Sequence, residues 1–280
     1  MEVTYRLGVA AESYLGDFTA DEILQGIHDL GVTWIQLDPR MLPGGLEMTV
    51  DQARGFHATL HEYGLVGESL SFWSASDADQ YVGDIHRLLD LAEPLGFRLL
   101  NLYYGPFKKT ADAAGKNDLE IWREKAQTIL DRAAEQQITL VLEPEAHDRS
   151  ATCRGCLEIL EATRFHPALG INYDPCNLLQ AGDDPFPGSY TVLKQYIRYC
   201  HLKNGYRTPD TEPSRFVYTW IDRGAVNAQG VLLQLAEDGY DGLVVLEPHM
   251  RDINERLACL AYEVKYIKRE TQYIGEAVTV

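Results

Sequence analysis

A short apolar run followed by a helix-forming segment recurs eight times along this chain, and few folds accept that rhythm. The runs are Arg6 to Ala10, Thr33 to Asp38, Leu65 to Ser69, Phe97 to Tyr103, Thr139 to Glu143, Gly170 to Asp174, Ile197 to His201 and Gly242 to Glu247. Each has the length and flanking punctuation of a buried strand. Two capping boxes, Thr19-Ala-Asp-Glu22 and Thr49-Val-Asp-Gln52, open helices that stop at Gly31 and Gly64. Further helices are predicted over Asp79 to Leu95, Asn117 to Gln136, Cys153 to Thr163, Ser189 to Tyr196, Val226 to Glu237 and Ile253 to Tyr273, with Gly275 to Val280 as a tail.

Strands that alternate with helices pack as a parallel sheet covered by those helices. Eight such units in 280 residues, with no linker or low-complexity tract, predict an α/β protein: a single (β/α)8 TIM barrel domain over residues 1–280. A doubly wound open sheet is the alternative. It normally carries a Gly-rich phosphate loop after the first strand, and Gly8-Val-Ala-Ala-Glu-Ser does not supply one. The longest connections are Pro43-Gly-Gly45, Lys108 to Lys116, Ala181 to Pro187 and Lys203 to Gly224. All fall on the carboxyl-end side of the strands, where barrel enzymes carry their active sites.

Four strands end on a metal-type ligand: Glu143, Asp174, His201 and Glu247. One such carboxylate alone is best read as the partner of a nearby Lys or Arg. Four at equivalent ends of strands five to eight converge on one point of a barrel rim and make a divalent-metal site. Glu145 shares parity with Glu143, but Pro144 marks the end of regular pairing between them and favours Glu143. His147 and His249 lie on loops beyond their strands, as outer partners of the site or as solvated histidines. A set of three carboxylates and one imidazole is harder than a structural zinc site. The cofactor expected is one divalent ion, Mn²⁺ first, with Mg²⁺, Co²⁺ or Zn²⁺ as alternatives.

The formal net charge of −17 argues against a nucleic-acid partner, because phosphate binding draws on clustered cations. No stretch approaches the roughly 20 apolar residues of a membrane span, and the amino terminus has no basic and apolar leader, so a cytoplasmic protein is expected. Five cysteines are an odd count for a disulfide framework, and Cys153-Arg-Gly-Cys156 has no second pair to hold zinc.

Leu142-Glu143-Pro144, Asn172-Tyr173-Asp174-Pro175-Cys176-Asn177, His201-Leu202-Lys203-Asn204 and Val245-Leu246-Glu247-Pro248, with Tyr240-Asp241-Gly242 before the last strand, resemble the xylose isomerase-like TIM barrel superfamily of sugar phosphate isomerases and epimerases. The resemblance implies a single cation held by Glu143, Asp174, His201 and Glu247, with two positions open for substrate oxygens. It also implies a small-molecule carbohydrate substrate and a homo-oligomer. Two departures stand out. Relatives often have His three residues after the aspartate, where this chain has Asn177. Members that repair DNA carry further histidines at the ends of strands two to four, and Gln36-Leu37-Asp38, Glu68 to Ser71 and Asn101 to Tyr104 contain none.

The expected chemistry is proton transfer α to a carbonyl, through an enediolate, by a metal-dependent isomerase or epimerase. Glu143 and Glu247 would each move a proton at one face. Lys203, on the face of His201, would stabilise oxyanion charge as a third catalytic group, and Arg207, Asn177 and Trp73 would bind substrate, with Arg223 a weaker candidate. Phe107 and Tyr104 would join Trp73 in an apolar wall. A lyase that expels a β-hydroxyl from a keto-cyclitol or dehydroshikimate is the first alternative, and a non-catalytic sugar-binding barrel the second.

Overall fold

The computed structural model describes residues 3–16, 18–208 and 215–277. Its strands are β1 (Arg6–Ala10), β2 (Trp34–Leu37), β3 (Val66–Ser71), β4 (Leu99–Leu102), β5 (Thr139–Leu142), β6 (Leu169–Tyr173), β7 (Ile197–Leu202), β8 (Asn204–Arg207), β9 (Phe216–Thr219) and β10 (Leu243–Leu246). β1 to β7 and β10 close an all-parallel barrel in chain order, with β10 pairing back onto β1. The single (β/α)8 barrel is therefore the fold. Both expected capping boxes form at Thr19 and Thr49.

Side chains alternate along each strand, so a strand buried on both faces has an outer row and an inner row. The outer row (Val9, Leu100, Leu140, Leu142, Val244, Leu246) joins the large core beneath the helices. The inner row begins apolar: Ala10, Leu99, Val141, Tyr199, Leu243 and Val245 form a separate small cluster inside the barrel. Two residues further along, the inner row turns polar. Val141 is succeeded by Glu143, Tyr199 by His201 and Lys203, Val245 by Glu247, and Leu99 by Asn101. The parity of each strand thus carries these groups to the carboxyl-end rim.

Four connections differ from the sequence reading. Residues 108–116 are largely helical: a helix over Gly105–Ala114 has Pro106 in its first turn and ends at Gly115 in the left-handed conformation. A second unpredicted helix, Pro175–Ala181, follows Asp174 directly, with Pro again at its start. The 203–224 connection contains an antiparallel hairpin of β8 and β9, whose turn lies outside the described residues. The predicted helix from Ser189 to Tyr196 shrinks to Tyr190–Leu193 between irregular turns. Gly275 to Ala277 continue the last helix rather than forming a tail; residues 278–280 lie outside the described residues. All five cysteines are free thiols, and Cys153 and Cys156 sit in the first turn of a helix.

Candidate metal centre and active site

Glu143, Asp174, His201 and Glu247 come together. All four are buried, and each offers one ligand atom within 4.8 Å of the others. His201 Nδ1 lies 3.2 Å from Glu143 Oε1 and 3.3 Å from Glu247 Oε2. The Lys203 ammonium stands among them, 2.5 Å from both Asp174 Oδ2 and Glu247 Oε2 and 3.7 Å from Glu143 Oε1. The expectation that Lys203 shares the face of His201 holds, but its ammonium lies within the quartet rather than above it.

Asp174 has a second structural duty. Its Oδ1 accepts from the backbone N–H groups of Cys176 and Asn177, each at 2.9 Å, and so caps the Pro175–Ala181 helix. Its other oxygen is left for the site. Pro175 at the first helical position suits this start, since its missing N–H costs the helix nothing there.

Neutral groups from both halves of the barrel orient the quartet: Gln36 and Asn101 from the opposite half, Tyr199, Asn172 and Asn177 from its own. Gln36 Oε1 lies 2.7 Å from His201 Nε2, and Tyr199 Oη donates to that same oxygen at 2.7 Å. An amide oxygen only accepts, so Nε2 donates to Gln36 and Nδ1 is the nitrogen aimed at the site. Burial disfavours a charged ring, but Glu247 and Glu143 outweigh it and hold the imidazole well above its ordinary value. Asn101 donates to Glu143 Oε2 at 2.6 Å and Asn177 to Oε1 at 3.1 Å. Asn172 donates to Asn101 Oδ1 and accepts from the His201 backbone N–H. Gln36, Asn101 and Asn172 were missed as site residues. The signal was present: an amide inside a buried strand is costly unless bonded, the same reasoning that picks out Glu143.

The arrangement fits a divalent cation. Three carboxylates face one ammonium, the imidazole aims Nδ1 at the same point, and the donors are mainly hard oxygens. Burial opposes the charged forms here, but opposite charges outweigh it. Glu143 and Glu247 are held below the usual carboxylate range by His201 and Lys203, Glu247 well below. For Lys203, Asp174 and Glu247 outweigh burial and hold the ammonium well above its ordinary value. Asp174 is pushed up, by burial above all.

A cavity of about 330 Å³ opens over Glu143, Glu247 and Lys203, lined also by Glu12, Arg40, Trp73, Glu145, Tyr218 and His249; Asp174 and His201 are not among its lining residues. Burial and the neighbouring Glu247 push Glu12 up to about 7; burial and Glu143 push Glu145 up to about 8. His249 Nε2 lies 3.1 Å from Glu247 Oε2, and with Glu12 and Glu247 it forms a second group of close donors. Arg40 is gripped by Asp38, Nε to Oδ1 at 2.9 Å and Nη2 to Oδ2 at 2.5 Å. Neither Glu12 nor Arg40 was anticipated, because both lie on turns that carry no strand parity.

Of the remaining predicted residues, Trp73 and Asn177 line the cavity. Arg207 is exposed and donates to the Gln180 carbonyl, and it is not among the lining residues. Arg223 lies over the Trp220 ring, away from the site. Tyr104 and Phe107 are fully buried against Trp122 and belong to the core, not to a substrate wall. No helix among the described residues is long and apolar enough to cross a membrane.

Comparison with known proteins agrees with this architecture. A xylose isomerase-like TIM barrel protein from Mycobacterium smegmatis in complex with magnesium superposes with a TM-score of 0.75 at 19% identity, covering 98% of this chain and 99% of that one. The probable 3-DHS dehydratase AsbF from Bacillus anthracis gives 0.73 at 18% identity, covering 94% and 98%. A D-tagatose 3-epimerase-like protein gives 0.72 at 17% identity, covering 98% and 100%. At these identities the likeness speaks to the fold. No curated protein matches the sequence. The family model for the xylose isomerase-like TIM barrel matches residues 24–270, and the chain belongs to that family.

Proposed function

We propose that this protein is a divalent-metal-dependent isomerase or epimerase acting on a small sugar, keto-sugar or related polyhydroxy carbonyl compound. The observation that carries the reading is the pair of buried glutamates on different strands, Glu143 after β5 and Glu247 after β10, sharing one cluster with His201 and Lys203. Removing a proton α to a carbonyl needs a base held ionised, and its return needs an acid. One glutamate, ionised, takes the proton from the substrate carbon. The other enters the cycle protonated, delivers its proton to the opposite face of the enediolate and is left ionised, so the stereocentre inverts and the pair resets by passing the proton back.

Glu143, Asp174, His201 and Glu247 would hold the cation, which supplies Lewis-acid stabilisation for negative charge on the substrate oxygens. Mn²⁺ suits the donor set, and the magnesium complex of the M. smegmatis protein supports Mg²⁺ as the alternative. Lys203 bridges Asp174 and Glu247 and balances their charge, while Asn101 and Asn177 fix the Glu143 carboxylate. The likeness to a D-tagatose 3-epimerase-like protein agrees with epimerase chemistry. The likeness to a probable 3-DHS dehydratase keeps a lyase as the second reading, since β-hydroxyl loss follows the same proton abstraction.

Incubation with Mn²⁺ and a panel of ketoses, keto-acids and inososes in D₂O, followed by NMR, tests this. Deuterium at one carbon α to the carbonyl, with an epimer or isomer accumulating, is the expected result. A new enone absorbance would select the lyase. Absence of both exchange and product across the panel would remove the reading.

A further inference from the structure

The cavity over Glu143, Glu247 and Lys203 is small. At about 330 Å³ it sits at the low end of ligand pockets and matches one sugar-sized ring. Beside it lies a larger cavity of about 560 Å³, and the two share Trp73, Tyr103, Glu145 and His147 as common wall. Nothing in the proton-transfer chemistry needs this second space.

Its construction is specific. The helix that opens at Gly105 is tied to two loops: Lys108 donates to the His147 carbonyl at 2.7 Å and Lys109 to the Ala75 carbonyl at 2.6 Å. Each ammonium uses one of its donors on a backbone oxygen, which ties the helix to the loops at His147 and Ala75 on either side of the cavity. Gly105 lines the floor. A side chain there would meet only Asp148 Oδ2, at 3.9 Å from the added carbon, and would otherwise project into open space. Trp73 stands at the junction with 66% of its surface exposed, the most exposed large hydrophobic residue among those described. An indole left uncovered between a polar inner cavity and a mainly apolar outer one offers a stacking face to a ring.

We propose that this outer cavity is a second ring subsite, so that the substrate is a polyhydroxy carbonyl ring carrying a ring-bearing substituent rather than a free monosaccharide. The inference rests on the reading of the inner cavity as the site of proton transfer. The polyhydroxy carbonyl ring sits over Glu143, Glu247 and Lys203, and the substituent passes Trp73 into the space above Gly105. An aryl group and a second sugar share the flat face that such a site recognises, and the test separates them.

Three keto-hexopyranose probes suffice: the free sugar, its phenyl glycoside and its glucosyl disaccharide. Binding is followed by ligand-observed NMR and turnover by α-deuterium incorporation, for wild type, Gly105→Leu and Trp73→Ala. Wild type should favour one ring-bearing probe over the free sugar by about tenfold or more in kcat/KM, the scale of a filled apolar pocket. The better probe identifies an aryl or a glycosyl substituent. Gly105→Leu should erase that preference while the free sugar is handled as before, and Trp73→Ala should weaken it from the other wall. If the proton-transfer reading alone is wrong, ring-bearing probes still bind in a manner blocked by Gly105→Leu, but no probe exchanges. Equal handling of all three probes by wild type, or no binding preference among them, overturns the subsite. If Gly105→Leu melts below wild type, the Trp73→Ala result decides, and an unchanged preference in that variant overturns the proposal.

Discussion

The two halves of the barrel rim do different work. On the half built from β5, β6, β7 and β10, the inner row ends in Glu143, Asp174, His201, Lys203 and Glu247, five charged or ligating groups in mutual contact. On the half built from β2, β3 and β4, the same row carries Gln36, Ser69, Ser71 and Asn101, all buried and neutral. The charged half could not hold its geometry alone, because like charges repel and buried carboxylates need donors. The neutral half supplies what is missing: an acceptor for His201, a donor for Glu143, and an anchor for Tyr199 through Ser69 and Gln36. Chemistry sits on one side, while orientation is shared between the neutral side and Asn172, Asn177 and Tyr199 on the charged one; the two roles make different demands on substitution.

The largest effects should come from the charged half. His201→Ala and Asp174→Asn should each cost more activity than the roughly 100-fold upper range for losing an outer partner of a metal ligand. Steady-state rates over a Mn²⁺ titration check this; near-wild-type rates in both variants would erase the distinction between the halves.

Lys203→Met comes next, and its effect should depend on metal. Without a cation it leaves Asp174 and Glu247 buried with unbalanced charge, a loss of about 3 to 5 kcal/mol by comparison with other broken buried pairs. Urea denaturation with and without saturating Mn²⁺ measures it. Metal should restore most of the loss by binding only the folded state. An equal loss in both conditions would mean that the ammonium and the cation do not answer to the same carboxylates.

On the neutral half, Gln36→Leu removes the acceptor of His201 Nε2 and of the Tyr199 hydroxyl. Metal affinity should fall about 10- to 100-fold, with activity recovering at high metal concentration. A rate defect that metal does not rescue would place Gln36 on the chemical side of the comparison.

The smallest functional effect belongs to a carboxyl outside both halves. Glu263, on the last helix, is buried with Cys259 Sγ 3.4 Å from Oε1 and, among the described residues, no hydrogen-bond partner for Oε2, and burial pushes it up to about 8. Glu247, equally buried but beside cations, is pushed the other way. Between about 4.5, its ordinary value, and about 8, folded Glu263 keeps a proton that the unfolded chain has lost. Stability from this group is therefore full below that window and falls as pH rises through it, by at most about 1.4 kcal/mol per pH unit. Glu263→Gln should flatten the fall in melting temperature over that range without changing the rate, and an unchanged slope would contradict the assignment.

The division between the halves also explains what the sequence disclosed. Glu143, Asp174, His201 and Glu247 stood out because a charged or ligating residue ending an apolar run is conspicuous. Gln36, Asn101 and Asn172 follow the same parity rule but lie within their runs and look like tolerated polar substitutions until their partners are seen across the barrel. Barrel closure was legible from the eight-fold alternation, whereas the Pro175–Ala181 helix was hidden by its shortness and the β8–β9 hairpin by its lack of a strong apolar pattern. Arg207 illustrates the limit of loop residues: no strand parity fixes their direction, and this one is bonded to Gln180.

The central claim is that the four rim residues hold one divalent ion. Isothermal titration of Mn²⁺ into chelator-stripped wild type, His201→Ala and Asp174→Asn tests it most directly. The account predicts one tight site per wild-type chain and loss of that site in both variants. Tight stoichiometric binding that persists in both variants, or no tight site in wild type, would contradict it.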